Sequence, residues 1–458
     1  MRKITWELKG GLTDEEIKKI HDFALRLIEK IGILIPSENI LKMIPQDKNI
    51  FIKNNRVYIK PEKIEELFGP FPKKQKEQNK EIKFYVSGYS LRCYDLYTGE
   101  IRKPTLNDLI IFTKIAHTLG AYGCALVFPS DLPQKLAEIA TYKFCLDVSD
   151  RIYGAGIFSD NYVFDIVQEI ICLIEGKYEI GMHMISPMAF DKFLIENASR
   201  YFDKKTTFSV GTMPMIGATS PVDFFSSIAQ SIAEVIGGAS ILKILSPNNE
   251  VYFSPFVYPF DMKYGSIVFG GPDFIKLNLL LYQIGKFYGI EIMAKVFNTM
   301  GKYPGDAQVG FSSAGVILSL LMGFKMFGWA GMCCIDEIAS IEQVIIQYEI
   351  LKSCLSLLEG VEFDENKMNI ELMEECILKE NTFLTHPETL QNYKRNLFVS
   401  EIFSNETFNI WEKNGKKSIW QKAREKAIEI LNKHNFKRDE KQSEELNKIW
   451  EKAVKKLK

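Results

Sequence analysis

Histidine is scarce in this sequence, with five in 458 residues. No His-Glu-x-x-His spacing occurs, which leaves little from which a catalytic zinc site could be built. Cysteine is barely commoner. None of the eight (Cys93, Cys124, Cys145, Cys172, Cys333, Cys334, Cys354 and Cys376) stands in a Cys-x-x-Cys. The vicinal Cys333–Cys334 cannot by itself present paired zinc-ribbon ligands and has no histidine near it in sequence, so buried free thiols are expected. An excess of either charge is lacking too: 57 basic against 58 acidic residues give a formal net charge of −1. Nothing electrostatic therefore recruits nucleic acid or an anionic membrane surface. No uninterrupted apolar run reaches the roughly 18–20 residues of a bilayer span. The longest candidate, Gly315–Phe324, reads as a core helix, and Met1–Leu12 has no apolar stretch of the signal-peptide kind. A cytoplasmic protein is expected. No Gly-x-Gly-x-x-Gly follows the first strand of the α/β pattern described below, and no phosphate-binding P-loop spacing occurs, so nucleotide-binding folds lose ground. A Ser-His-Asp arrangement is likewise missing.

What is present is material for a large core: 46% hydrophobic residues, 12% of the chain aromatic, with 25% charged. Such a length fits one large barrel with extensions or two to three domains. Near the start, Thr13 followed by Glu16 forms a capping-box pattern ahead of an amphipathic helix. The Lys-, Gln- and Pro-rich stretch Gly69–Glu81 reads as a mobile loop. Phe84–Leu96 alternates and runs into Asp95–Glu100, the pattern of a β-hairpin. From Thr105 the spacing becomes regular. Strands are expected at Tyr122–Phe128, Ile152–Ile157, Glu179–Ile185, Thr206–Val210, Glu250–Ser254, Glu291–Phe297 and Lys325–Ala330, with helices between them. About seven such units in series favour a closed (β/α)8 TIM barrel over an open sheet. The eighth strand is not evident. The expected organisation is an N-terminal accessory region (1–104), the barrel (105–358), and a charged helical extension packed outside it (359–458).

A barrel carries its chemistry just after the strands. Those loops here are rich in Phe, Tyr, Trp and Met, and no Arg or Lys stands at their starts, which suits an apolar or cationic ligand better than phosphate. Aromatic faces attract quaternary ammonium groups through their quadrupoles. Phe128, Tyr258, Phe297 and Trp329 are the candidate cage. His183, Asp261, Asn298, Asp306 and Gln308 are the candidates for polar orientation, with His183 and Asp306 as proton-bearing catalytic groups. The aromatics read equally as a plug for the barrel top, His183 as a hydrogen-bonded core residue, and Asp306 as a helix cap.

Several short motifs, in order, resemble the trimethylamine methyltransferase superfamily over nearly the whole chain. They are Leu12–Ile17 with His21, Tyr94-Asp95 through Arg102-Lys103-Pro104-Thr105 to Asp108, and Ser186-Pro187. Pro214-Met215 with Gly217–Val222, Ala233-Glu234, Asp261-Met262, Asp306-Ala307-Gln308, Ser340–Gln343 and Phe383–Leu390 complete the set. The resemblance implies a TIM barrel that moves a methyl group from a methylated amine to the Co(I) of a corrinoid. That corrinoid is carried by a separate cognate protein, and the chain itself binds no metal. Founding members carry pyrrolysine and act on trimethylamine. This chain has only the standard twenty residues and resembles the other branch, whose characterised members demethylate quaternary amines such as glycine betaine. Met213 and Thr219 are the residues expected to face the corrinoid. Self-association is expected only from the habits of barrels this size. Two departures from the family pattern fall near the mouth: Gly328–Cys334 lacks the usual Glu- and Gly-rich form, and Ser312 stands where an acid is common. The rival expectations are a tertiary amine, methoxyl or methylthiol donor, a non-catalytic pocket for quaternary amines, and a zinc-dependent methyltransferase.

Overall fold

A computed structural model describes residues 11–73, 81–151, 153–359, 368–380 and 382–457. The first helix, Asp14–Lys30, begins as its sequence dictates. Thr13 Oγ1 accepts from the Glu16 amide, and Glu16 Oε2 accepts from the Thr13 amide at 2.8 Å. Most of the Gly69–Glu81 stretch lies outside the described residues.

The fold is mixed α/β, and its parallel strands form two arcs. In one, Tyr178–Ile185, Thr206–Gly211 and Glu250–Ser254 pair in register, parallel throughout. Alternation sets the faces of the first of these strands. Ile180, Met182 and Met184 are buried against helices, while Gly181, His183 and Ile185 keep open surface on the other side. This arc continues through Ala189–Phe190 and Ile33–Leu34 into the N-terminal hairpin of Ile50–Lys53 and Arg56–Ile59. In the second arc, Lys83–Val86 lies between Met326–Ala330 and Tyr122–Gly123, parallel to both. Lys83–Val86 is a parallel strand that falls inside the stretch expected to form a hairpin. Only the later part of the expected hairpin forms one, with Arg92–Tyr94 antiparallel to Ile101–Arg102.

Between the arcs the expected closed barrel is not completed by continuous strand pairing. Of the expected strand Ile152–Ile157, Ile152 lies outside the described residues; among the residues described, one backbone bond reaches it, from the Ala125 amide to the Gly154 carbonyl at 3.3 Å. Two glycines explain this, because they weaken a strand and Gly156 takes a left-handed φ of +65°. The Glu291–Phe297 stretch makes a single parallel bridge, Ala294 to Phe327, then turns.

Phe224–Leu245 is apolar nearly all round because it is covered on two sides. A Cβ at Gly238 would lie 2.8 Å from the Met184 sulfur, and one at Gly237 2.7 Å from the Ile33 side chain. Only glycines allow that approach. Among the described helices this one is long and apolar enough to cross a membrane, although 78% of its most apolar window is buried inside the fold. A search for unbroken apolar runs passes over it because Glu234 and Lys243 interrupt the pattern. At the other end of the chain, Ile419–Asn432 packs on Ile341–Leu358 and Leu106–Thr118, and Glu440–Leu457 packs on Gln134–Val148 and Asn161–Glu175. Buried Glu342 ties the first of these helices down, accepting from Arg424 Nε at 3.1 Å and Trp420 Nε1 at 3.2 Å.

Candidate active site

The two arcs meet at one side chain that the sequence reading passed over, Lys295. Its amide donates to Asn278 Oδ1 at 3.1 Å, which fixes the backbone from the helix behind, Pro272–Tyr288. Its Nζ stands 3.3 Å from the ring centroid of Phe256, 4.3 Å from that of Trp329 and 5.1 Å from that of Tyr258. It also donates to the Tyr258 hydroxyl at 2.5 Å. Phe256 and Tyr258 follow the last strand of the first arc, and Trp329 belongs to the second.

Trp329 is turned inward by a break in register between the Phe327 and Ala330 pairs, and its own φ is +69°. A left-handed backbone at a bulky residue costs about 1–3 kcal/mol and persists only where its surroundings enforce it. Gly328 is part of that enforcement, because a Cβ there would lie 2.2 Å from the Met293 sulfur.

Cys124 and His183 share this interior space. Both keep open surface, and both feel the charge of Lys295. Burial drives the Lys295 amine well below its ordinary basicity, with Cys124 acting weakly the other way. Burial also lowers His183, and the positive charge of Lys295 lowers it further. The Cys124 thiol is raised by burial against the pull of Lys295. Burial raises the phenols of Tyr258 and Tyr89, and Asp336 raises Tyr89 further. The Asp336 carboxyl is itself raised by burial. Desolvation thus favours the uncharged form of every one of these groups.

The mouth loops are held from behind by Glu234, which is fully buried. It accepts from Ser186 Oγ at 2.7 Å, the Met188 amide at 3.1 Å and Gln230 Nε2 at 2.9 Å, and also from Thr212 Oγ1. Ser186-Pro187 and Glu234, separate marks in the sequence, are one hydrogen-bonded unit in space. Gln347 does the same on the other side, accepting from the Gly331 amide at 2.8 Å and donating to the Phe297 carbonyl at 2.7 Å.

Of the residues singled out from sequence, the structure brings Tyr258 and Trp329 together around Lys295, with His183 nearby. Phe297 faces elsewhere, edge-on to Phe84 at 5.5 Å. Phe128 is half-buried, and its amide donates to the Ser90 carbonyl at 3.0 Å. Asp261 Oδ1 accepts from the Lys263 and Tyr264 amides in the turn between Phe260–Asp261 and Ser266–Ile267. Asp306 accepts from the Gln308 amide at 3.0 Å and the Lys302 amide at 3.2 Å, the work of a cap, and Gln308 is exposed. Asn298 is fully buried, and neither its amide nitrogen nor its oxygen has a hydrogen-bond partner. Met213 is exposed, and Thr219 Oγ1 accepts from the Met215 amide at 2.9 Å. All eight cysteines are free, and five of them are buried. Among the described residues no three His, Cys, Asp or Glu side chains gather into a metal-ligand set. Lys295 had one signal in the sequence. It is the only charge inside the apolar stretch Ile292–Phe297.

The aromatic side chains and Lys295 that meet between the two parallel arcs define a candidate small-molecule site of the kind α/β enzymes carry at strand ends. The trimethylamine methyltransferase family profile matches residues 10–456. The chain belongs to that family, and so to the methyltransferases. It is 23% identical over 443 residues to glycine betaine methyltransferase of Desulfitobacterium hafniense, covering 92% of each chain. To the trimethylamine methyltransferase MttB of the same species it is 20% identical over 450 residues, 92% of this chain and 89% of that one. The crystal structure of Methanosarcina barkeri monomethylamine methyltransferase (MtmB) superposes with a TM-score of 0.44 at 11% identity, over 95% of this chain and 91% of that one.

Proposed function

We propose that this chain moves a methyl group from a small quaternary amine, of the glycine betaine kind, to a corrinoid presented by a separate protein. The two parallel arcs are then read as parts of one eight-stranded barrel that begins at Lys83, with Phe84 and Phe297 packed together where the arcs adjoin. The observation that carries the functional reading is the convergence of Phe256, Tyr258 and Trp329 around one cationic centre, the Lys295 Nζ. Ring faces are electronegative, so such a wall favours a cationic head group over a neutral one. A quaternary ammonium leaves as a neutral tertiary amine once a methyl is taken from it, so its departure needs no proton. The side chains then have to hold one N-methyl in line and keep water out.

Co(I) supplies the nucleophile when the partner is bound. Docking of a flat, largely apolar macrocycle is supported by the exposed apolar side chains of Ile185, Met213, Val222 and Met262. Met213 and Met262 are the residues we assign to that contact, and a cytoplasmic setting follows from the partner. A second reading, a tertiary-amine or methylthiol donor, is favoured by His183. Its imidazole lies at this site and could hand a proton to a leaving group that needs one.

Anaerobic methylation of cob(I)alamin by the purified chain tests these readings. The Co(I) to methyl-Co(III) absorbance change is expected with a quaternary amine such as glycine betaine, carnitine or proline betaine, and not with trimethylamine. Turnover with trimethylamine alone would replace the first reading by the second.

A further inference from the structure

We propose that Lys295 selects a methyl donor that also bears a carboxylate, meeting that group with its ammonium at this site. This rests on the methyl-transfer reading only for the donor being a methylated amine. The geometry is that of a cation site lacking its counter-ion. Nζ stands against three ring faces, each of which stabilises an ammonium by roughly 0.5–2 kcal/mol when desolvated. Its one hydrogen-bond partner is the Tyr258 hydroxyl, and among the described residues no carboxylate pairs with it.

A buried ammonium without an anion carries a desolvation penalty of several kcal/mol, which is what lowers the basicity of Lys295. An arriving anion removes that penalty. The titratable groups facing Lys295 are Cys124 beyond Tyr122–Gly123, His183 on Tyr178–Ile185 and Tyr258 beyond Glu250–Ser254. None is a second strong cation, so the site fits one negative charge, a carboxylate in preference to a phosphate. Cys124 and His183 keep open surface beside it, which is where a ligand can stand.

A zwitterion therefore fits with its carboxylate at Lys295 and its methylated ammonium along the aromatic wall of Phe256, Tyr258 and Trp329 beside it. Binding then draws a proton from solvent onto Lys295.

Isothermal titration calorimetry of the full chain at pH 8 tests this, in two buffers of different ionisation enthalpy. The ligands are glycine betaine, carnitine and proline betaine, each against its methyl ester. At least one acid is expected to bind about tenfold or more tighter than its ester, with uptake approaching one proton. Lys295→Met should erase both the preference and the uptake. Equal affinity for acid and ester across the wild-type panel overturns the proposal, as does a preference that survives in Lys295→Met. Should that variant not fold, the wild-type preference and uptake decide alone. Cob(I)alamin methylation on the same ligands separates the two readings. Proton-coupled carboxylate binding without methyl transfer sinks the methyltransferase reading only. Equal methyl transfer from acid and ester, in the presence of turnover, sinks the role of Lys295 only.

Discussion

A partly exposed cation, Arg102, and a buried one, Lys295, are held by opposite means. Arg102 lies where the hairpin of Arg92–Tyr94 and Ile101–Arg102 meets the helix Leu106–Thr118. Its guanidinium grips Asp108 with two bonds of 2.7 Å and Asp95 with one of 2.8 Å. Lys295, more deeply buried, has three aromatic rings and a phenol but, among the described residues, no carboxylate. The first arrangement is complete within the chain, because each charge meets its opposite and the planar fork satisfies the geometry. The second is complete only with something added. Conspicuous charged motifs in the sequence, such as Asp95 through Asp108, mark the closed kind of site. The open kind is written as a single lysine in an apolar stretch.

The sharpest way to test this contrast is to remove each cation in turn. Arg102→Met leaves the Asp108 carboxylate buried without its partner. That should cost about 3–5 kcal/mol of stability, read as a large drop in the denaturant midpoint. A loss under about 1 kcal/mol would mean the cluster is ornamental. The same cluster sets an acid limit. Burial raises Asp95, but the amides of Thr98 and Tyr97 together with Arg102 hold it down to about 2. Its contribution is therefore present above the unfolded value of 3.8 and is lost as pH falls from there toward 2.

Lys295→Met should act in the opposite sense in the ligand-free protein, leaving stability unchanged or raising it by about 1–4 kcal/mol. Between its lowered folded value and the ordinary 10.5 of a lysine, the unfolded chain holds a proton that the folded one does not. Wild-type stability should therefore rise with pH up to that value, and the variant should lose the slope. A midpoint that falls as far as in Arg102→Met would show that the two sites are of one kind. The smallest effect is expected at Asp306. Asp306→Ala should cost about 1 kcal/mol through the lost cap and leave methyl transfer within about twofold. A loss of a hundredfold in turnover at unchanged stability would restore it as a proton-bearing group.

Local structure was the legible part. The Thr13 capping box, the helices from Leu106 onward, and strands such as Glu250–Ser254 follow from caps and periodicity, which act over a few residues. Lys83–Val86 was hidden because four alternating residues before a hairpin look like part of it. Its real neighbours lie far along the chain, and nothing local announces a parallel partner. The weak strands at Gly154 and at Ala294 were read as full ones because hydrophobicity does not reveal where backbone pairing stops. In the candidate site, Tyr258 and Trp329 could be placed from the loops that follow strands. Their convergence could not, since it depends on a left-handed φ at Trp329 and a skipped register. Phe297 carried the same signal and turned toward Phe84 instead.

The pairing of Lys83–Val86 with Met326–Ala330 also has a cost in time. Val86 leaves the ribosome some 240 residues before Met326 does. At about 5–20 residues per second, that strand edge waits on the order of 10–50 s for the partner that will cover it. An uncovered edge of this kind is a template for adventitious pairing, and a strand of four residues opening with Lys83 is a poor template. Its brevity, which hid it from sequence reading, is what lets a nascent chain carry it safely until its neighbour is made.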